Sequence, residues 1–483
     1  IKPVFSTNIN MPVKAAELTS LQNSKDVTFA LVNNNDLHLL NDNGNITTNL
    51  NNFSDVHPAA FFWNNTNYFV GAKASLLNVY MADGAVNYQS GVTFNENITT
   101  SPVVRLLVTE EREILFGTDK GRIYFYSTGR LPAIDPTQTK QPVVIDTNLV
   151  IKKIAVDGLY YCGIALPATL SSTRYFDSDN NTYQIENETA IDLALTKNKN
   201  GKYVSIILTN GNNFYLLSEG KLIAKFAAEN NVTSFSVGDV KQDGENYIVY
   251  NAGNKVYAVN LTGATADNFP FADPNGFSFV STPLVVDFEG DNKAEIIAST
   301  EDGRVFAIFG GTGKTVPGFP ISLGENLAAV PVTFVKDKQI SFAALNNIGS
   351  FSGYKIGAAE GTVFWGGKNG GSSNLSFVPA ASVQSYVNEF FPKNRAYNYP
   401  NPVYDSETYI RYYVNENSKI NIKIFDLAGD FVSELNNDAT GGMDNETKWD
   451  VSNIQSGVYF ARIEAAGVNG KTETNIIKIA VVK

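Results

Sequence analysis

Apolar residues along this chain come in short runs broken by polar turns rich in Asn, Asp and Gly. One unit recurs: an apolar strand, a polar turn, then a second strand rich in Tyr, Phe and Leu. The clearest copy opens at Ser281-Thr-Pro-Leu-Val-Val-Asp287 and continues from Glu295 through Asp302-Gly303 to Phe309. Another opens at Ser101-Pro-Val-Val104 and runs from Glu113 to Tyr126. Further copies centre on Phe29 to Leu40, Tyr68 to Tyr80, Tyr160 to Phe176, Tyr203 to Leu217, Tyr247 to Val259 and Ile340 to Tyr354. Their spacing, about 40–48 residues, is that of one four-stranded propeller blade. A single such sheet leaves both faces uncovered, and radial stacking buries them. The pattern predicts an all-β fold, an eight-bladed β-propeller over residues 1–386. Seven blades, with one copy split between the two ends, is the alternative, and a β-sandwich array stands behind both.

The pattern changes near Phe390-Phe-Pro-Lys-Asn-Arg395, and residues 387–395 read as a linker. Beyond it, Ile420, Ile422 and Ile424 alternate with Lys419, Asn421 and Lys423, as in a strand with one face buried. With Thr408–Val414, Thr447–Asp450, Ser456–Ile463 and Asn475–Lys483, about seven strands fill residues 396–483, which fits an immunoglobulin-like β-sandwich. Between the two regions, Trp365-Gly-Gly-Lys-Asn-Gly-Gly-Ser-Ser-Asn374 reads as a loop that packs back before the linker.

Composition agrees with strands. Hydrophobic residues make up 43% of the 483 positions and aromatics 12%, and branched and aromatic side chains suit a pleated surface. The formal charge of −11, without a dense Lys/Arg run, argues against a nucleic-acid partner. No apolar run reaches transmembrane length, and Ile1 does not begin a signal peptide, so a mature or trimmed form is expected. Cys162 is the single cysteine and reads as a buried strand thiol, which leaves no internal disulfide.

One loop carries metal chemistry. Asp287, Glu289, Asp291 and Glu295 occupy positions one, three, five and nine, with the Lys293 carbonyl at seven. Oxygen ligands at alternate positions of a tight loop can converge on one hard cation, here a structural calcium. The competing reading is a solvated turn. Asp239–Tyr247 places Lys241 at position three, which disfavours a cation there. Asp177, Asp179, Asn181 and Glu188 read as a polar hairpin loop. His38 and His57 lie in different copies, so a multi-histidine centre is not expected, and His57 before Pro58 reads as a turn residue. No catalytic residue and no cofactor-binding residue is assigned. Paired carboxylates across blades would be invisible in sequence, so an enzyme is left open as the lesser expectation.

Two resemblances add to this. The segments Ser281–Asp291 and Pro317-Gly-Phe-Pro-Ile-Ser-Leu323 resemble FG-GAP and VCBS-type propeller repeats, and the 287–295 loop resembles their calcium loop. The tail resembles the type A C-terminal sorting domain of the bacterial type IX secretion system. That resemblance rests on Tyr399-Pro-Asn-Pro402, Ile424-Phe-Asp-Leu-Ala-Gly429, Trp449-Asp450, Ser456-Gly-Val-Tyr459 and Lys478–Lys483. The related flagellar-hook-capping immunoglobulin module shares the pattern. The resemblance implies export by the type IX machinery to the cell surface or medium, and such domains are usually removed after export. The expected function is a non-enzymatic module that binds an extracellular protein or glycan, or assembles as a homo- or hetero-oligomer. The alternatives are a secreted carbohydrate-active enzyme and a structural subunit of a filament or surface layer.

Overall fold

The computed structural model describes residues 3–23, 26–82, 87–107, 111–127, 141–169, 171–241, 243–288, 290, 293–336, 338–356, 361–381, 390–441 and 443–483. The chain divides into two compact units, Ile1–Ser382 and Val383–Lys483. Among the described residues, regular structure in both is β, apart from one 3-10 turn at Lys393–Arg395.

The first unit holds eight sheets among the described residues, each built on an antiparallel meander, with a strand from elsewhere in the chain added to three of them. The first strands of sheets 1 to 8 are Glu17–Gln22, Ala59–Trp63, Val103–Leu106, Leu149–Asp157, Ala190–Lys197, Phe235–Gly238, Phe279–Asp287 and Val332–Lys336. Second strands are buried almost throughout, for example Val27–Asn33, Tyr203–Thr209 and Glu295–Thr300. Outer strands are more exposed, as at Lys221–Ala227. This gradient follows from stacking sheets face to face with one edge inward. The interfaces are apolar: Phe5, Phe29, Phe334 and Phe351 interlock between sheets 8 and 1 with ring centroids 5.0–6.0 Å apart.

Sheet 8 takes its outer strand from the other end of the unit. Pro3–Asn8 pairs antiparallel with Ser350–Lys355, Thr7 opposite Phe351. Both ends of the unit therefore contribute to one sheet, whereas the four-stranded meanders of the other seven are each built from contiguous chain.

The second unit has two antiparallel sheets around one core. One sheet contains Tyr397–Tyr399, Glu407–Val414 and Met443–Asp450, and the other Phe431–Ala439, Ser418–Phe425, Gly457–Gly467 and Thr472–Val481. Ile420, Ile422 and Ile424 point into that core as the alternation predicts, beside Ile410, Tyr412 and Trp449 of the facing sheet. Phe390 and Phe391, which read as linker, are buried in the same core. Two consecutive large apolar residues find more stabilisation there than in solvent, about 1.5–3 kcal/mol for each side chain. Residues 387–389 of the expected linker lie outside the described residues.

Candidate functional site at the hub of the first unit

The first strands touch one another in order, from sheet 8 through sheet 1 to sheet 7. The strand Thr362–Trp365 completes the circle. It pairs antiparallel with the first strand of sheet 7, Thr362 opposite Asp287 and Trp365 opposite Val285. The next residue, Gly366, accepts the Thr333 N–H of sheet 8 at 2.8 Å.

From there the chain visits every remaining sheet in turn. Lys368 reaches Glu17 of sheet 1. The Ser372 carbonyl accepts the Ala60 N–H of sheet 2 at 2.7 Å, and the Ser373 carbonyl accepts Val104 N–H of sheet 3 at 2.9 Å. Leu375 accepts Val156 N–H of sheet 4 at 2.9 Å, and Ser376 accepts Leu195 N–H of sheet 5 at 2.8 Å. Phe377–Val378 then adds a parallel strand to sheet 5. Asn246, just before the second strand of sheet 6, donates to the Pro379 carbonyl at 2.8 Å. One segment thus winds around the axis and satisfies the inward-facing backbone groups that a ring of first strands would leave open.

The Gly-rich composition has a steric cause. A Cβ on Gly366 would stand 2.3 Å from Thr333 Oγ1, and Gly370 has φ +88°. A bulkier loop could not lie this close to the first strands. Trp365, only 1% exposed, anchors one end in the core shared by sheets 5, 6 and 7. Asn374, also 1% exposed, donates to the carbonyls of Pro58 and Pro102 and so ties sheets 2 and 3.

A charged cluster sits on this hub. Glu17 accepts from His57 Nδ1 at 2.9 Å and pairs through its other oxygen with Lys368. With Glu17 ionised, Nδ1 must carry the proton. Burial alone would raise the Glu17 carboxyl, but His57 and Lys368 outweigh it and hold it at about 2. Burial drives His57 below the ordinary imidazole range against the pull of Glu17, so its ring is neutral near pH 7. Beside it, Lys153 pairs with Asp192 at 2.5 Å, and Asp192 also accepts the Leu193 and Phe235 N–H groups. The sequence reading of His57 as a turn residue misses this role, because its partners lie 40 and 311 positions away in the chain, at Glu17 and, through it, Lys368.

Of the expected calcium ligands, Glu289 and Asp291 lie outside the described residues. Asp287 and Glu295, each 1% exposed, stand at opposite ends of the loop and cap it. Asp287 Oδ1 accepts Gly290 N–H at 2.7 Å, and Glu295 Oε2 accepts Phe288 N–H at 3.0 Å. No cluster of three metal-ligating acids, histidines or cysteines occurs among the described residues. Lys241 of the neighbouring Asp-rich loop pairs with Asp267 at 2.9 Å. Asp177 caps a hairpin by accepting from the Asp179 and Asn181 N–H groups. Cys162 is fully buried, and burial pushes its thiol up to about 12, as suits an inert strand residue.

Carboxylate clips that sequence reading missed repeat between sheets. Glu96 accepts from Thr118, Arg122 and Tyr124, and Glu188 accepts from Thr209, Asn213 and Tyr215. Arg304 plays the reverse part, donating twice to Asp273 at 2.8 Å. The signal was present as a threonine followed at +4 by a polar residue and at +6 by an aromatic: Thr118-Arg122-Tyr124, Thr209-Asn213-Tyr215 and Thr300-Arg304-Phe306.

Among solved structures, the chain is similar to Sqt1 of Saccharomyces cerevisiae, with a TM-score of 0.54 at 12% identity over 73% of this chain and 98% of that one. BBS1N in complex with ARL6DN has a TM-score of 0.44 at 12% identity over 73% and 96%. Sqt1 is propeller-type, and the fold is all-β and β-propeller-like. No curated protein matches the chain. No helix among the described residues is long and apolar enough to cross a membrane. Residues 398–478 match the secretion system C-terminal sorting domain, so this chain carries a type IX sorting domain and is exported, to be secreted or held at the cell surface.

Proposed function

We propose that the first unit is an eight-bladed propeller that acts outside the cell as a non-enzymatic binding or assembly platform. The observation that carries this reading is the hub. Residues 362–379 occupy the ring's axis and bind all eight sheets, leaving the rims and outer faces for partners. Among the described residues, the cavity left beside the hub has Asp192 as its one lining acid, already paired with Lys153. That arrangement does not favour the carbohydrate-active enzyme, which calls for two converging carboxylates. The FG-GAP/VCBS kinship, the structural calcium at Asp287, Glu289, Asp291, Lys293 and Glu295, and an immunoglobulin-like second unit belong to the same reading. Isothermal titration of a chelated, folded sample with calcium tests the metal, and absence of a binding heat sinks it.

The structural-subunit reading draws on edge strands. In the first unit Leu222 and Ile223 are exposed on the outer strand Lys221–Ala227. In the second, Phe431 and Ile476 are exposed on the two edge strands of the four-stranded sheet. Exposed apolar edges are templates for pairing with another chain. Sedimentation of the full chain across concentrations, with affinity purification of partners from the native surface fraction, tests the platform. A strictly monomeric protein that retains no partner would refute it.

A further inference from the structure

The cavity beside the hub, about 220 Å³, is walled by the starts of the first strands of sheets 3 to 7 and floored by Lys368, Asn369, Asn374 and Ser376. On a chain of formal charge −11, three lysines line this one space: Lys152, Lys153 and Lys368. The one lining acid, Asp192, is spent on Lys153 and two backbone N–H groups. Lysine carries three N–H donors, and a single carboxylate oxygen engages one on Lys153 and one on Lys368. Donors therefore remain on both, and Lys152 is exposed with no ion pair among the described residues. Hydroxyls complete the wall, among them Thr100, Thr233 and Ser234. The Ser376 hydroxyl is fully buried without a hydrogen-bond partner. No aromatic ring lines the cavity among the described residues, so an occupant is held by charge and hydrogen bonds rather than by stacking.

We propose that this cavity binds the terminal ring of an acidic glycan, its carboxylate or sulfate ester against the lysines and its hydroxyls against the serine and threonine side chains. The volume lies below that of drug-sized pockets and suits one ring rather than a chain. Charge-assisted hydrogen bonds from the lysines supply most of the discrimination against neutral sugars. The inference rests on the platform reading above and names a ligand class for it.

The test is isothermal titration of the full chain with trigalacturonate, a sulfated chondroitin disaccharide, galactose and inorganic sulfate. Binding of one or both acidic sugars, without galactose, is expected, and it weakens as salt rises. Trigalacturonate alone marks a carboxylate site, the sulfated disaccharide alone a sulfate site. Binding of inorganic sulfate as tight as either sugar overturns the glycan assignment. Lys152→Glu and Thr233→Trp, both at exposed positions, should each weaken binding tenfold or more with an unchanged thermal midpoint. Equal affinity in both variants places the ligand elsewhere and overturns the site. If no acidic sugar binds yet a protein partner co-purifies, this inference fails while the platform stands. If neither binds and the chain does not self-associate, both fail.

Discussion

The ammonium of Lys368 is paired with the carboxylate of Glu17, 351 positions earlier in the chain, and the same carboxylate holds the buried ring of His57. This contact ties the hub segment to the first strand of sheet 1, where the ring passes from one end of the unit to the other. Its energetics are open to direct measurement.

Replacing Glu17 by Ala leaves His57 Nδ1 buried without an acceptor and Lys368 without its partner. A loss of about 1–3 kcal/mol is expected from the stranded imidazole alone. Denaturant unfolding of the full chain, following the transition of the larger unit, reads it. A midpoint within error of the parent would show that the cluster contributes nothing.

The same cluster sets a pH response. Glu17 has a folded value of about 2 against 4.5 when free, and His57 lies below its free value of 6.5. For both, the unfolded chain binds more protons in the window, so stability rises with pH. Their contribution is full above about pH 6.5. The histidine part is lost as pH falls below that value, and the glutamate part between 4.5 and 2. Calorimetric thermal midpoints should fall from pH 7 to pH 4, and His57→Gln should flatten the part nearest pH 6. An unchanged slope in that variant would remove His57 from the account.

Gly366→Val tests the close approach of the hub segment. The new side chain would start 2.3 Å from Thr333 Oγ1 and 2.7 Å from Val363 Cγ1. Overpacking of this kind costs about 1–3 kcal/mol. Trp365→Ala should cost more, about 3–5 kcal/mol, because it empties a core position. Intrinsic fluorescence during unfolding distinguishes the units, since Trp63 and Trp365 lie in the first and Trp449 in the second.

Export is tested by transferring the second unit. Residues 383–483 fused behind a periplasmic reporter should carry it outside a bacterium that has a type IX system and leave it inside a strain lacking that system. Trp449→Ala, at a position 1% exposed in the core, should reduce the yield outside. Equal release from both strains would disconnect the tail from that route.

Strands and hairpins were legible in the chain because their rule is local. The alternation at Ile420–Ile424 and the apolar second strands report burial at a period of two, which neighbours in sequence suffice to reveal. The copies from Phe29–Leu40 to Ile340–Tyr354 each fall on the second and third strands of a sheet. The hub was not legible. Gly366, Gly367, Gly370 and Gly371 read as a loop that packs back, and only the ring's geometry shows where it packs and that missing side chains let backbone approach backbone. Phe390 and Phe391 were misread for a similar reason, since the core that holds them begins later in the chain. The clips at Glu96 and Glu188 use contacts 21–28 positions long, too far for any periodic pattern.

The outer strand of sheet 8 comes from Pro3–Asn8 and the hub from residues 362–379. These two clasps are made hundreds of residues apart. A polypeptide interrupted before residue 362 has no means of closing the circle on its axis, and one lacking Pro3–Asn8 exposes the edge at Ser350–Lys355. Closure therefore requires both segments. Such non-local pairing makes folding slow, and an unfinished ring shows raw strand edges to any protease or chaperone that surveys it.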